Sequence, residues 1–119
     1  MSLHRKNLGK IGEDIATNYL LQKGFTIVQR NYKTRYGEID IIAQSGNKIR
    51  FVEVKTRNTL TRGKPYESVT LRKKHHLRLA STSFLLQTKI KDCKLSLDVI
   101  SIILNTDSSI KELLYFEGI

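Results

Sequence analysis

Asp40, Glu53 and Lys55 have side chains and spacing that suit metal-dependent chemistry on phosphate. Twelve residues separate Asp40 from Glu53, and Lys55 follows two positions later. Carboxylate oxygens are the protein ligands that Mg²⁺ accepts, together with waters and phosphate oxygens. A nearby lysine can orient a water molecule or stabilise negative charge that develops on a phosphate group. These residue types therefore suit a small metal site.

A predicted β-hairpin brings these residues together. The segments on either side of Gly46-Asn47 alternate apolar and polar residues, as strands do, and Gly-Asn suits a type II′ turn. This turn pairs Asp40 with Glu53 and Glu38 with Lys55, which places all four on one face. The opposite face would carry Ile39, Ile41, Val52 and Val54.

The predicted pairing of Asp40 with Glu53 creates an electrostatic problem. Opposed Cβ atoms on neighbouring strands lie roughly 4.5–5.5 Å apart, and like charges at that distance are destabilising. Lys55 can neutralise part of the charge, and a divalent cation would do so better. The alternative is a hairpin whose charged face is simply solvated, and spacing alone leaves both interpretations open.

The same residues resemble a known family of small bacterial proteins. The segments Gly37-Glu38-Ile39-Asp40-Ile41-Ile42-Ala43 and Phe51-Val52-Glu53-Val54-Lys55-Thr56-Arg57 resemble the YraN family of Holliday-junction-resolvase-like proteins. They also look like the metal-binding core of the PD-(D/E)XK nuclease superfamily, although Ile39 replaces the proline of that name. The likeness continues in Gly12-Glu13, in Glu67-Ser68-Val69-Thr70 with Lys73, and in Leu97-Asp98-Val99-Ile100.

This resemblance implies a role for each residue of the site. Asp40 and Glu53 would hold Mg²⁺ or Mn²⁺, Glu13 would be a further ligand, and Lys55 would orient or activate water. Helical periodicity alone predicts that Glu13 is solvated, because it falls almost opposite the apolar stripe of the first helix. Asp98 would be a group supporting the site or, on its position in a strand, an ordinary hydrogen-bonding residue.

The elements that position the site follow from periodicity and caps. We expect a helix over residues 5–23, a strand over 25–32, the central hairpin, a second helix that ends near residue 87, a strand over 94–104 and an edge strand over 110–116. Ser68 or Thr70 would cap the second helix. This order predicts an α/β fold with a mixed sheet flanked by helices, and the resemblance implies a restriction-endonuclease-like αβββαβ core.

The basic residues predict a polyanionic partner. The net charge is +10, and the densest basic run lies between Arg72 and Arg78, near a predicted helix start. A solvated helical face is the alternative. The residues expected to contact nucleic acid are Arg35, Arg57, Arg62, Lys64, Arg72, Lys73, Lys74 and Arg78.

Composition excludes several classes of protein. The 119 residues suit a single nuclease-like domain over 1–119, and no apolar run approaches the ~20 residues needed to cross a bilayer. No export signal is evident, so we expect a cytoplasmic protein without a membrane partner. Cys93 is the single cysteine, which excludes an internal disulfide and a cysteine zinc site.

The sequence therefore predicts a metal-dependent endonuclease that hydrolyses phosphodiester bonds. DNA is favoured over RNA, and branched or structured DNA is the substrate that the resemblance implies. The alternative is a nucleic-acid-binding module with a nuclease fold that does not cut. Because junction resolvases generally act as two-fold dimers, a homodimer is the assembly that the resemblance suggests.

Overall fold

The computed structural model describes residues 3–59, 61 and 63–119, with side chains described from residue 7 onward. The described elements occur in the predicted order, and a short 3₁₀ helix precedes the second α-helix. They are α1 (Leu3–Gln22), β1 (Thr26–Thr34), β2 (Gly37–Ser45), β3 (Lys48–Arg57), the 3₁₀ helix (Pro65–Ser68), α2 (Leu71–Thr88), β4 (Lys94–Leu104) and β5 (Ile110–Phe116).

All five strands form one mixed sheet in the order β1-β2-β3-β4-β5. The pairs β1–β2, β2–β3 and β4–β5 are antiparallel, whereas β3 and β4 are parallel. A parallel pair needs a crossover connection, and α2 lies within that connection. The predicted α/β fold, with a mixed sheet flanked by helices, is confirmed.

The turn at Gly46 sets the register of the central hairpin as predicted. Gly46 adopts φ +61°, the left-handed value that the first central position of a type II′ turn requires. The ladder from Ser45 opposite Lys48 to Ile41 opposite Val52 has the predicted register. The predicted pairs Asp40–Glu53 and Glu38–Lys55 lie beyond Ile41, where this ladder ends.

Helix α1 packs closely on one face of the sheet through small residues. Ala16 and Leu20 are fully buried against β2, β3 and β4, and a Cβ atom on Gly12 would lie 1.8 Å from Oγ1 of Thr56. Periodicity predicts an apolar stripe of Leu8, Ile11, Ile15 and Tyr19 on this helix, and all four are partly buried and pack against the same cluster. The line of closest approach to the sheet contains the smaller Gly12 and Ala16.

Helix α2 covers the other face and begins at the predicted cap. Oγ1 of Thr70 accepts a hydrogen bond from the backbone N–H of Lys73 (3.2 Å), so Thr70 rather than Ser68 is the N-cap. Phe84 is buried against Phe51 with their rings nearly perpendicular. The two helices thus bury opposite faces of β2 and β3.

The alternation of side chains along β2 breaks at Asp40. Ile41 packs in the cluster under α1, but Ile39, two positions earlier, packs in the cluster under α2. The predicted grouping of Ile39 with Ile41 is therefore wrong. The same part of the sheet contains an irregularity in the neighbouring strand, because Asn31 of β1 adopts φ +52°. An irregular strand at this point reorients the side chains around Asp40.

Candidate active site

Asp40 lies where β2 and β3 stop pairing through their backbones. The ladder of backbone pairs reaches Ile41 opposite Val52, and the next contact comes from a side chain. Oδ2 of Asp40 accepts a hydrogen bond from the backbone N–H of Val54 (2.8 Å). This bond fixes one carboxylate oxygen of Asp40 against β3.

Glu53 and Lys55 lie on β3 beside Asp40 and form an ion pair. Nζ of Lys55 lies 3.2 Å from Oε1 of Glu53, and both side chains are about three-quarters or more buried. Burial raises the pKa of Glu53, although the charge of Lys55 and its hydrogen bond oppose this effect. Burial works against the charge on Lys55, but the negative charges of Glu53 and Asp40 favour it, and the pKa of Lys55 is raised. Lys55 therefore remains a cation at neutral pH.

Asp40 has the most strongly perturbed carboxylate of the site. Burial, followed by repulsion from Glu53 and Glu13, raises the pKa of Asp40 to about 8. The hydrogen bond from Val54 and the charge of Lys55 act in the opposite direction without cancelling the shift. Carboxyl groups that share a site in this way hold a proton or attract a cation.

Glu13 of α1 supplies a third carboxylate. Carboxylate oxygens of Glu13, Glu38 and Asp40 lie within 4.8 Å of one another. Nδ2 of Asn31 donates hydrogen bonds to Oε1 of Glu13 and to Oε1 of Glu38, each at 2.8 Å. The solvated position that periodicity predicts for Glu13 is wrong, because α1 turns this residue toward the sheet and the Asn31 side chain fixes its carboxylate.

Arg30 of β1 contacts the middle of α1, where Glu13 lies. Nη2 of Arg30 lies 2.8 Å from Oδ1 of Asp14 and 3.8 Å from Oε1 of Glu13. The hydrogen bond from Arg30 lowers the pKa of Asp14. This contact joins α1 to β1 at the acidic cluster, so the position of Glu13 depends on both elements.

These groups line an open cleft of about 610 Å³, which we call the active-site cleft. Glu13, Asp40, Glu53 and Lys55 line it together with two further cations, Arg57 and Lys73. Lys73 comes from α2 and brings its ammonium near that of Lys55. Burial and the neighbouring charge of Lys55 lower the pKa of Lys73. The cleft therefore combines three carboxylates with three cations.

Comparison with known proteins establishes the family. A model described as "Uncharacterised protein family UPF0102" matches residues 12–102. The chain belongs to this family. A UPF0102 protein of Caldicellulosiruptor saccharolyticus is 37% identical over 111 residues, which cover 93% of this chain and 94% of that protein. A UPF0102 protein of Clostridium kluyveri is 42% identical over 106 residues, covering 89% and 87% of the two chains.

Membership of UPF0102 confirms the resemblance to the YraN family, and the assignment to the PD-(D/E)XK superfamily is consistent with it. The matched residues include all four predicted site residues. They also include Lys73, which completes the cleft, and Asp98, whose role the sequence left open.

Asp98 lies in a different buried network of this UPF0102 protein. Its carboxylate is fully buried and accepts hydrogen bonds from four donors. The donors are the Ser96 hydroxyl, a guanidinium nitrogen of Arg50, the Tyr115 hydroxyl and the backbone N–H of Gly118. These contacts agree with the hydrogen-bonding role and give Asp98 no direct contact with Asp40 or Glu53.

The remaining predicted basic residues have different surroundings. Arg35 lies in the turn between β1 and β2, Arg72 and Arg78 are exposed on α2, and Lys74 is half-buried there. Nζ of Lys64 lies 3.6 Å from Oε2 of Glu112. Arg62 lies outside the described residues. Of the eight residues predicted to contact nucleic acid, Arg57 and Lys73 line the active-site cleft.

Three residues of the site carry roles that sequence reasoning missed. Lys73 was predicted to contact the phosphate backbone from the helix surface, but it enters the cleft. Glu38 was paired with Lys55, but its carboxylate lies with Glu13 and Asp40. Asn31 was not singled out, although asparagine tolerates the left-handed conformation that it adopts here.

No helix among the described residues is long and apolar enough to cross a membrane.

Proposed function

We propose that this UPF0102 protein is a divalent-metal-dependent nuclease that hydrolyses phosphodiester bonds. The observation that carries the proposal is the convergence of Asp40, Glu53, Glu13 and Lys55 in one open cleft. Three separate elements supply these side chains: α1, β2 and β3. Buried like charges are costly to a fold, so their concentration in a cleft favours a functional role.

The donor set fits a hard divalent cation. Asp40, Glu53 and Glu13 would hold Mg²⁺ or Mn²⁺ through carboxylate oxygens, and Glu38 lies close to two of them. The repulsion that raises the pKa of Asp40 is the kind that a bound cation removes. When bound, such a metal ion polarises a phosphate oxygen and lowers the pKa of a coordinated water.

Lys55 would act on the charge that develops during hydrolysis. Its raised pKa keeps it protonated, so it donates hydrogen bonds and does not remove a proton from water at neutral pH. A fixed ammonium beside the carboxylates can orient the attacking water and stabilise a phosphate oxygen. Lys73 adds a second cation in the same cleft, where it would contact the phosphate.

The charge of the chain supports nucleic acid as the substrate. Twenty-one lysines and arginines against eleven acidic residues give a net charge of +10. A domain with this excess attracts polyanions, and phosphate contacts supply most of the affinity of sequence-independent binding. The preference for DNA, and for branched DNA in particular, rests on the family resemblance.

Cleavage of defined substrates tests the proposal. The purified protein is incubated with Mg²⁺ or Mn²⁺ and duplex, single-stranded, flapped and four-way DNA, with RNA counterparts. We expect wild-type protein to cut, and Lys55→Ala to cut at least about 100-fold more slowly, the loss typical of one transition-state donor. Binding should change little, because one cation among many is removed.

Lys48→Ala is the matched control, because Lys48 is another half-buried lysine at the opposite end of β3. Its cleavage rate should equal that of the wild type. Cleavage by Lys55→Ala at the wild-type rate would contradict the proposed site and indicate a contaminating nuclease. Binding without cleavage under every metal and substrate condition would favour the binding-only alternative.

A further inference from the structure

A second cleft lies between the β1–β2 turn and α2. It has a volume of about 640 Å³, within the roughly 300–1,000 Å³ typical of small-molecule sites. The described residues that line it include two cations and no carboxylate. We call it the turn cleft, and the side chains used below are Tyr32, Lys33, Arg35, Tyr36, Leu86 and Gln87.

The turn that forms one wall is held in a fixed conformation. Oγ1 of Thr34 accepts a hydrogen bond from the backbone N–H of Tyr36 (3.0 Å) and donates one to the carbonyl of Gly37 (2.9 Å). Arg35 and Tyr36 therefore lie in a two-residue loop closed by side-chain and backbone bonds. A wall that is already ordered loses little conformational entropy when a ligand binds.

Arg35 stacks on Tyr36 at the surface. The guanidinium carbon lies 4.9 Å from the ring centroid, and Nη2 donates a hydrogen bond to the Tyr36 hydroxyl (2.6 Å). Arg35 itself is exposed. The result is a flat guanidinium held over an aromatic ring at the mouth of the cleft.

The rest of the cleft provides groups that recognise a nucleotide. The Tyr32 hydroxyl donates to Oε1 of the exposed Gln87 (2.6 Å), which orients the amide so that its Nε2 can donate to a base edge. Lys33 supplies a second cation for phosphate, and Leu86 adds apolar surface at the rim. Unpaired bases stack on aromatic rings and on arginine planes, as this arrangement offers.

A smaller pocket shares lining residues with both the turn cleft and the active-site cleft. Tyr36 also lines this smaller pocket of about 170 Å³, which is lined in addition by Glu53 and Lys73. Glu53 and Lys73 in turn line the active-site cleft. A strand that reaches from the carboxylates to Arg35 would pass these shared residues.

We propose that the turn cleft binds an unpaired nucleobase of a nucleic-acid strand whose backbone continues into the active-site cleft. This inference rests on the proposed function and narrows its substrate class. Bases within a duplex are stacked and paired, so a base can enter the cleft only from a single-stranded arm, flap or opened junction. The preferred substrate then has unpaired nucleotides next to the phosphate that is cut.

Binding without metal tests the cleft separately from catalysis. Affinity is measured in EDTA for a blunt duplex and for the same duplex with a short single-stranded arm, made of DNA or RNA. Wild-type protein should prefer the armed duplex. Arg35→Lys keeps the positive charge but removes the planar guanidinium on which a base would stack. It should reduce the preference for the armed duplex roughly fivefold or more, the loss expected for one stacked base.

Lys91→Ala is the control for general electrostatics, because Lys91 is exposed between α2 and β4. It should leave the preference for the armed duplex unchanged. A fluorescent adenine analogue in the arm should change its emission on binding to wild-type protein but not to Arg35→Lys. Equal affinity of wild-type protein for armed and blunt duplexes, or an unchanged preference in Arg35→Lys, would overturn the inference.

The outcomes separate this inference from the proposed nuclease. Preference for the armed duplex without cleavage in any metal would support base binding in the turn cleft and refute catalysis. Cleavage that depends on Lys55 but is the same with or without the arm, and the same in Arg35→Lys, would support the nuclease and refute base binding in the turn cleft. A difference between DNA and RNA arms would show which sugar the cleft accepts.

Discussion

Two aspartates in this sheet, Asp98 and Asp40, have opposite surroundings. Asp98 of β4 is fully buried, and four donors, one of them the guanidinium of Arg50, surround its carboxylate. Asp40 of β2 receives a bond from Val54 N–H, and burial with its carboxylate neighbours raises its pKa to about 8. The carboxylate of Asp98 is compensated by protein groups, whereas that of Asp40 is compensated only in part. Asp98 therefore stabilises the fold, whereas the carboxyl of Asp40 favours binding a proton or a cation.

The largest expected effect comes from breaking the compensated network. Asp98→Ala leaves Arg50, which is 9% exposed, without its principal partner. Removing one member of a buried ion pair costs about 3–5 kcal/mol, and we expect about 3 kcal/mol because Glu117 still lies 3.0 Å from Arg50. Urea denaturation gives the change in the free energy of unfolding.

Asp107→Ala is the control for Asp98→Ala. Asp107 is exposed in the turn between β4 and β5, where it accepts hydrogen bonds from Ser109, and its loss should cost far less than that of Asp98. A loss below about 1 kcal/mol in Asp98→Ala, as small as that of a typical exposed pair, would contradict the structural role of the network.

The next prediction tests whether a bound cation compensates the negative charge of Asp40. Saturating Mn²⁺ should stabilise wild-type protein by about 2.7 kcal/mol when its free concentration is 100 times the dissociation constant. Asp40→Asn should lose most of this gain, because a neutral amide replaces a ligand carboxylate. Calorimetric titration measures the affinity for Mn²⁺, and thermal unfolding measures the gain in stability. Equal Mn²⁺ affinity in wild type and Asp40→Asn would contradict the metal site.

A smaller effect is expected from pH in metal-free buffer. Because the pKa of Asp40 is raised from 3.8 to about 8 by folding, the folded state binds the proton more tightly and stability falls as pH rises through this window. Asp40→Asn retains an acceptor for Val54 N–H but has no proton to lose. Its free energy of unfolding should exceed that of wild type by on the order of 1–2 kcal/mol at pH 8, given about 1.4 kcal/mol per pKa unit.

This difference should shrink toward pH 4, where Asp40 is protonated in the folded state and about half protonated in the unfolded chain. Glu53 lies beside Asp40 and its pKa is also raised, so protonation of Glu53 relieves part of the repulsion. We therefore expect a smaller stability difference than the full pKa shift of Asp40 implies. Asp40→Ala, which lacks the acceptor, should show less gain than Asp40→Asn. A stability difference that is constant from pH 4 to pH 8 would show that repulsion at Asp40 is unimportant.

The smallest expected effect is on the salt dependence of DNA binding, through the exposed arginines of α2. Arg50 is held by Asp98 and Glu117, whereas Arg72 and Arg78 are exposed on α2. If the exposed pair binds phosphate, replacing both with alanine should flatten the slope of log K against log salt. The change should be roughly 0.9 for each phosphate of duplex DNA that the variant no longer neutralises. Replacing Lys91 and Lys111 is the control, and an unchanged slope would assign Arg72 and Arg78 to a solvated face.

Local signals predicted most of the fold. The Gly46-Asn47 turn determines a register that needs no distant contact, and Thr70 caps α2 through a residue three positions away. Asp40, Glu53 and Lys55 belong to this local hairpin. Their proximity could therefore be predicted from sequence before any packing was known.

The positions of Glu13 and Lys73 in the cleft could not be predicted in the same way. Gly12 and Ala16 bring α1 close to the sheet, so Glu13 faces inward despite lying opposite the large apolar residues. Lys73 enters the cleft because the packing of α2 on β2 and β3 turns it there. Hydropathy alone carries no information on such close contacts between elements.

Irregular backbone explains the remaining errors. Ile39 lies on the α2 side because strand alternation breaks at Asp40, and the left-handed Asn31 lies on the adjacent strand. Strand periodicity assumes a regular pleat, so it fails where the site distorts the strand. The hydrogen-bond partners of Asp98 could not be predicted either, because Arg50 and Tyr115 lie on strands that are far apart in sequence.

The parallel pairing of β3 with β4 has a consequence for the order of folding. The β2–β3 hairpin can form as soon as residue 57 has been synthesised, but its partner on the other side begins at Lys94. Until then, β3 presents an open edge that carries Phe51, Val52 and Val54. We expect this exposed edge to make incomplete chains prone to aggregate during translation, and closure of the loop between β3 and β4 to limit the folding rate.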